Sequence, residues 1–212
     1  NLEDISLRTD YAGICGMTEQ ELVQNFAPEI ETLSSKEGLS CTETLAALKK
    51  QYDGYLFAKA GDSVYNPFSL LNAFKAKDLG CYWFETGTPT FLVNYLKEAY
   101  YFIPDLDGNV ELNEAELQTY RAVAQDALPI LFQAGYLTIK EYIKEARLYR
   151  LGFPNDEVRY AFFGNLMDVH MTCDAESYGV FMIDEFLHGM RRGDIERVLT
   201  LIKSLMASIP YD

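Results

Sequence analysis

Leu128-Pro129-Ile130-Leu131-Phe132-Gln133-Ala134-Gly135-Tyr136-Leu137-Thr138-Ile139, then a charged stretch, then Arg147-Leu148-Tyr149-Arg150-Leu151-Gly152-Phe153-Pro154-Asn155, decides the fold class. Asp126 is placed to cap a helix containing Leu128, Ile130 and Leu131, and Gly135 to stop it. Thr138, Tyr142, Leu148 and Tyr149 are strand formers, so the next segments read as a two-stranded ribbon. Pro154-Asn155 ends the ribbon, and a helix is expected from Asp156 to about Met171. Upstream, Asn113 with Glu116 forms a capping box that opens another helix. Helix, helix, ribbon, helix over residues 113–171 is the order expected of a winged-helix-like unit.

Toward the N-terminus the punctuation is helical. Thr18-Glu19-Gln20-Glu21 and Ser40-Cys41-Thr42-Glu43 are capping boxes: the hydroxyl accepts from a first-turn N–H and the glutamate reaches back. The first predicts a short helix ending near Phe26. The second leads into Leu45 and Leu48 and ends on Lys49-Lys50, well placed at the negative end of the helix dipole. Pro28 suits the first turn of a helix between them. Tyr52-Asp53-Gly54-Tyr55 marks a turn, and Tyr55-Leu56-Phe57 with Ser63-Val64-Tyr65 predict a short hairpin. Asn66-Pro67 opens a helix to about Lys77, and Thr88-Pro89 repeats the device. Glu176 to Arg191 and Asp194 to Ala207 read as two more helices. The fold class expected is therefore mainly α with short β-hairpins: a helical bundle-like lid, a winged-helix-like unit and linker helices.

The chain has 212 residues, 49% hydrophobic and 24% charged, which describes a globular protein and excludes disorder as its main state. No apolar run approaches the roughly 20 residues of a membrane span, so no membrane partner is expected. Eighteen basic against 32 acidic residues give a net charge of −14, which disfavours broad electrostatic binding to nucleic acid. Cys15, Cys41, Cys81 and Cys173 are scattered without a C-x-x-C, which fits a reducing, cytoplasmic setting. The chain begins Asn1-Leu2-Glu3-Asp4 and reads as a piece of a longer one.

The apparent chemical motifs resolve into structural features. His170 and Cys173 are too few for a zinc site, and neither they nor His188 belongs to a readable nucleophile motif. Asp105 to Glu116 has oxygen ligands at calcium-loop positions one, three, five and twelve. Val110, however, stands where that loop needs glycine, so a turn followed by a helix start is the reading. Glu85-Thr86-Gly87-Thr88-Pro89 presents free N–H groups at a helix start but lacks a P-loop pattern and a following lysine, so self-capping is the reading. The adjacent carboxylates Glu3 and Asp4, or Asp184 and Glu185, do not face one site. No catalytic, cofactor-binding or metal-binding residue is assigned.

Five stretches in order carry a family likeness: 51–57 (Gln51-Tyr52-Asp53-Gly54-Tyr55-Leu56-Phe57), 65–71 (Tyr65-Asn66-Pro67-Phe68-Ser69-Leu70-Leu71), 82–89 (Tyr82-Trp83-Phe84-Glu85-Thr86-Gly87-Thr88-Pro89), 131–138 and 152–159 (Gly152-Phe153-Pro154-Asn155-Asp156-Glu157-Val158-Arg159). Together they resemble the bacterial AAA-ATPase-like family, whose members commonly carry a C-terminal PD-(D/E)XK nuclease-like domain. Gly193-Asp194-Ile195-Glu196 and Ile209-Pro210-Tyr211-Asp212 resemble the junction before that domain. The resemblance implies a parent whose P-loop core binds ATP and magnesium and whose nuclease signature would lie beyond Asp212. It divides this chain into a helical lid-like part (1–110), a winged-helix-like unit (111–172) and a helical linker (173–212).

Two functional expectations follow. In the first, the chain is a non-catalytic segment that couples an ATP-binding core to a nuclease-like domain, with those domains as intramolecular partners and the parent alone as putting nucleic acid in reach. Tyr52, Tyr55, Tyr82, Trp83 and Phe84 are then core or interface anchors. In the second, it is a free-standing module that binds DNA or a protein through the ribbon and the preceding helix. Arg121, Lys140, Lys144, Arg147, Arg150 and Arg159 are interleaved with Asp126, Glu141, Glu145, Asp156 and Glu157, which favours protein packing over DNA. A homo-oligomer stays open.

Overall fold

The computed structural model describes residues 5–83, 103–118, 128–162, 186 and 194–208. It is mainly α-helical with a small antiparallel sheet, as the sequence predicts. Helices α1 (Glu19–Asn25) and α3 (Cys41–Tyr52) begin where their caps place them, and α2 (Ala27–Glu37) carries Pro28 in its first turn. Thr18 and Ser40 each close a reciprocal capping box, with Glu21 and Glu43 respectively. These bonds hold both glutamates below the usual carboxylate range. Asn66 caps α4 (Pro67–Ala76) through the N–H groups of Phe68 and Ser69. The four helices enclose one apolar cluster containing Leu22, Leu33, Leu48, Tyr52, Tyr65, Leu70 and Phe74.

The second half is built on β1 (Val110–Leu112), α5 (Glu114–Leu117), α6 (Leu128–Gln133), β2 (Thr138–Ile143), β3 (Leu148–Gly152) and a helix α7 that the structure describes over 156–162. The expected ribbon is present, but β3 is the central strand of three, in the order β1-β3-β2. The extra strand corrects the two-stranded reading. β1 has only three residues, too few for a readable alternation, and it exists because Val110 and Leu112 pair with Leu151 and Tyr149. The same pairing draws Val110 into extended chain after a turn at Gly108 (φ +100°), where a calcium loop would continue to wrap its ion.

The expected hairpin at residues 55–65 is reduced to isolated bridges. Tyr55 pairs with Val64, while Tyr65 pairs with Met17 and Ala58 with Leu7. Short strands without a continuous ladder are marginal on their own, so the segment takes its shape from what packs around it. Tyr55 and Val64 belong to the core of the sheet unit, alongside Leu112, Leu131, Ile139, Leu151, Phe153 and Phe162. The C-terminal helix α8 (Ile195–Ser208) corresponds to the last expected one. Thr88-Pro89, Asp126, Arg121, His170, Cys173, His188 and the helix expected over 176–191, apart from residue 186, lie outside the described residues.

Candidate functional site

Four of the five sequence stretches meet around one cleft of about 270 Å³. Tyr55 and Phe57 come from the first, Tyr65, Asn66 and Pro67 from the second, and Trp83 from the third. Phe132, Gln133, Ala134 and Gly135 come from the fourth, and Cys15 and Val64 complete the wall. Local chemistry puts them there. Asn66 ends an extended segment by capping α4, so the cleft opens beside the first turn of that helix. Gly135 takes the left-handed conformation (φ +80°) that stops α6, and the chain turns back as Tyr136 donates to the Leu131 carbonyl at 2.9 Å. The Trp83 ring lies over Gly135 at ordinary contact distance (a Cβ there would stand 3.4 Å from it), so the positive φ rather than lack of space calls for glycine.

Behind the cleft runs a line of aromatic contacts. Trp83 meets Tyr136 edge-on at 5.2 Å, Tyr136 meets Phe162 at 5.8 Å, and Phe162 meets Phe153 at 5.2 Å. Such pairs contribute about 0.5–1.5 kcal/mol each beyond the area they bury. Tyr52 is fully buried and donates to the Gly80 carbonyl at 2.8 Å, as an anchor would. Burial holds the hydroxyls of Tyr52, Tyr55 and Tyr65 neutral, far above the ordinary phenol range.

The fifth stretch, 152–159, binds the other four from the rear. Pro154 lies against Gly54, and its carbonyl accepts from Lys140 Nζ at 3.2 Å. Lys140 is the extra residue of a bulge in β2, and desolvation lowers its pKa. Asn155 Oδ1 caps α7 by accepting from the Val158 N–H at 3.0 Å. Asp156 pairs with Lys50 at 3.0 Å and with Arg159 at 3.3 Å; Arg159 also reaches Asp107 at 2.9 Å.

Glu157 makes the connection that the sequence reading missed. It is fully buried, and its Oε1 accepts from the backbone N–H groups of Tyr82 at 2.6 Å and Trp83 at 3.0 Å. Oε2 faces the Ser69 hydroxyl without a fully formed bond. Burial pushes the carboxyl above its ordinary pKa, against the three hydrogen-bonding groups that favour its charge. In sequence, Asp156-Glu157 looks like the ordinary acidic first turn of a helix, so only the fold distinguishes the second from the first.

The sheet's cations are similarly engaged. Arg150 bridges Glu111 at 3.1 Å and Glu141 at 2.6 Å, and Lys59 pairs with Glu114 at 2.8 Å while lying over the rings of Tyr142 and Tyr149. Among the described residues, no group of three or more His, Cys, Asp or Glu side chains is placed to hold a metal ion. Among them, too, no helix is long and apolar enough to cross a membrane. Phe84 follows directly on the clamped pair, and it and Glu85 to Pro89 lie outside the described residues.

No family model and no solved structure matches the chain. It is similar to an uncharacterized protein in the vnfD 5′ region of Azotobacter chroococcum mcd 1, with 35% identity over 214 aligned positions. The alignment takes in 100% of this chain and 39% of that protein, so the chain spans about two fifths of its relative's length.

Proposed function

We propose that this chain is a non-catalytic coupling segment of a longer AAA-ATPase-like protein, holding a nucleotide-binding core and a nuclease-like domain in a defined relation. The observation that carries the reading is the Glu157 clamp. A side chain from the fifth stretch fixes the backbone of Tyr82 and Trp83 at the start of the third, so displacement of either half is passed to the other. A second tie works in the same way: the Thr138 hydroxyl accepts from the Leu56 N–H at 2.7 Å and donates to the Leu56 carbonyl at 3.1 Å. Elements that are packed and hydrogen-bonded together move as units, and that is how a nucleotide-dependent change in a neighbouring core would be transmitted. ATP and magnesium belong to that core in this reading, and nuclease chemistry to the other domain.

Within the proposal, residues 111–172 form the winged-helix-like unit. The sheet order β1-β3-β2, with helices between β1 and β2, supports this. The neutralising partners of Arg150, Arg159 and Lys59 support a protein-facing role for it over DNA contact. A cytoplasmic setting is part of the same reading, supported by the free cysteines Cys15, Cys41 and Cys81, all exposed.

Calorimetric titration with Mg-ATP tests where the nucleotide site lies. The proposal expects no binding by these 212 residues and clear binding by the longer protein. ATP affinity in this chain alone would overturn it. In the longer protein, hydrogen exchange at the Tyr82 and Trp83 amides should respond to nucleotide, and Glu157→Ala should abolish that response.

A further inference from the structure

We propose that the outer face of α8 joins two copies of this chain as an antiparallel helix pair. Ile195, Leu199 and Ile202 are 69%, 49% and 40% exposed, the first of them among the most exposed large apolar side chains described. At 3.6 residues per turn they fall within about 60° of one another, so they form one continuous stripe. Val198 is buried and Leu201 half-buried, both on one side of that stripe. The apolar arc of the helix is therefore wider than the part of it that is buried among the described residues. The inner part is seated, and the outer part faces water.

Charge selects the occupant. Glu196 and Lys203 are exposed, and within α8 they lie about 20° apart on the side of the stripe opposite Val198. Neither has an ion-pair partner among the described residues. They stand equally far from a midpoint between Leu199 and Thr200. A two-fold axis through that midpoint runs the second helix antiparallel and brings the same flank of both helices together. Glu196 of each copy then meets Lys203 of the other, and the two stripes pack across the axis. A parallel pairing sets the two flanks on opposite sides and makes neither ion pair. The helix is about 21 Å long, and one such pair buries less than the roughly 1,200 Å² of a standard stable interface. The dimer is thus reversible and concentration-dependent. It does not depend on the coupling role proposed above.

Sedimentation equilibrium over a rising concentration series tests it, with circular dichroism to confirm unchanged helix content. Wild type should show a monomer–dimer equilibrium that Leu199→Asp removes. Glu196→Lys and Lys203→Glu should each raise the dimer Kd about tenfold, since each single change replaces two attractions with two repulsions. The double reversal Glu196→Lys/Lys203→Glu should restore the wild-type Kd. A wild type that stays monomeric throughout, association that Leu199→Asp does not reduce, or a double variant no tighter than the singles would overturn the proposal.

Discussion

Gly54 sits with its bare Cα directly against the backbone of Pro154: a Cβ on Gly54 would stand 2.0 Å from the Pro154 carbonyl oxygen and 2.9 Å from its carbonyl carbon. Gly54 also has φ +106°, a conformation that side chains disfavour. Two independent costs therefore fall on one substitution. Gly54→Ala should destabilise the chain by about 3 kcal/mol or more, read as a lower urea midpoint with an unchanged slope.

Glu157 separates charge from hydrogen bonding. Glu157→Gln keeps an acceptor for the Tyr82 and Trp83 N–H groups, whereas Glu157→Ala takes that acceptor away from both half-buried groups. The alanine variant should lose about 2–4 kcal/mol, and the glutamine variant much less.

The same residue sets a pH dependence. Its folded pKa lies above the usual 4.5, so the folded chain binds more protons than the unfolded one between those two values. Stability contributed by Glu157 is then largest at low pH and falls as pH rises through that window. Denaturation at a series of pH values should show wild type losing ground to Glu157→Gln as pH rises from about 4.5. The opposite slope would show that the bonds to Tyr82 and Trp83 outweigh burial.

Thr138 offers one hydroxyl to both backbone groups of Leu56. Thr138→Val fills the same volume but orphans both groups, and should cost about 2–3 kcal/mol. Thr138→Ser should cost less than half of that, as judged by thermal unfolding.

The sheet's cations give a test of nucleic-acid contact. Arg150 is already held by two carboxylates, and Lys140 is turned to the Pro154 carbonyl. A low-salt DNA titration should show no binding that depends on Lys140, Lys144, Arg147 and Arg150. A steep salt-dependent affinity, lost when these four become Glu, would instead establish a DNA-facing ribbon.

What was legible in the sequence is what acts over a few residues. Thr18 with Glu21, Ser40 with Glu43, Asn113 with Glu116 and Asn66-Pro67 all start helices as read, because a cap and its N–H partner lie within one turn. Gly135 stops α6 for a similarly local reason. The cleft and the segment that backs it were legible only as five separate stretches, since nothing in residues 51–57 announces that Gly54 will touch Pro154.

By itself, then, the sequence determined the mainly helical class, the starts of α1, α3, α4 and α5 and the β2-β3 ribbon, through caps, turns and strand-forming residues whose effects are short-ranged. Only the tertiary structure decided that Val110 to Leu112 becomes a third strand, that the 55–65 hairpin shrinks to bridges, and that Glu157 is buried as a clamp. Each of these depends on partners far along the chain: a three-residue strand is stable only beside β3, and a buried carboxylate is tolerated only where folding brings N–H donors to it.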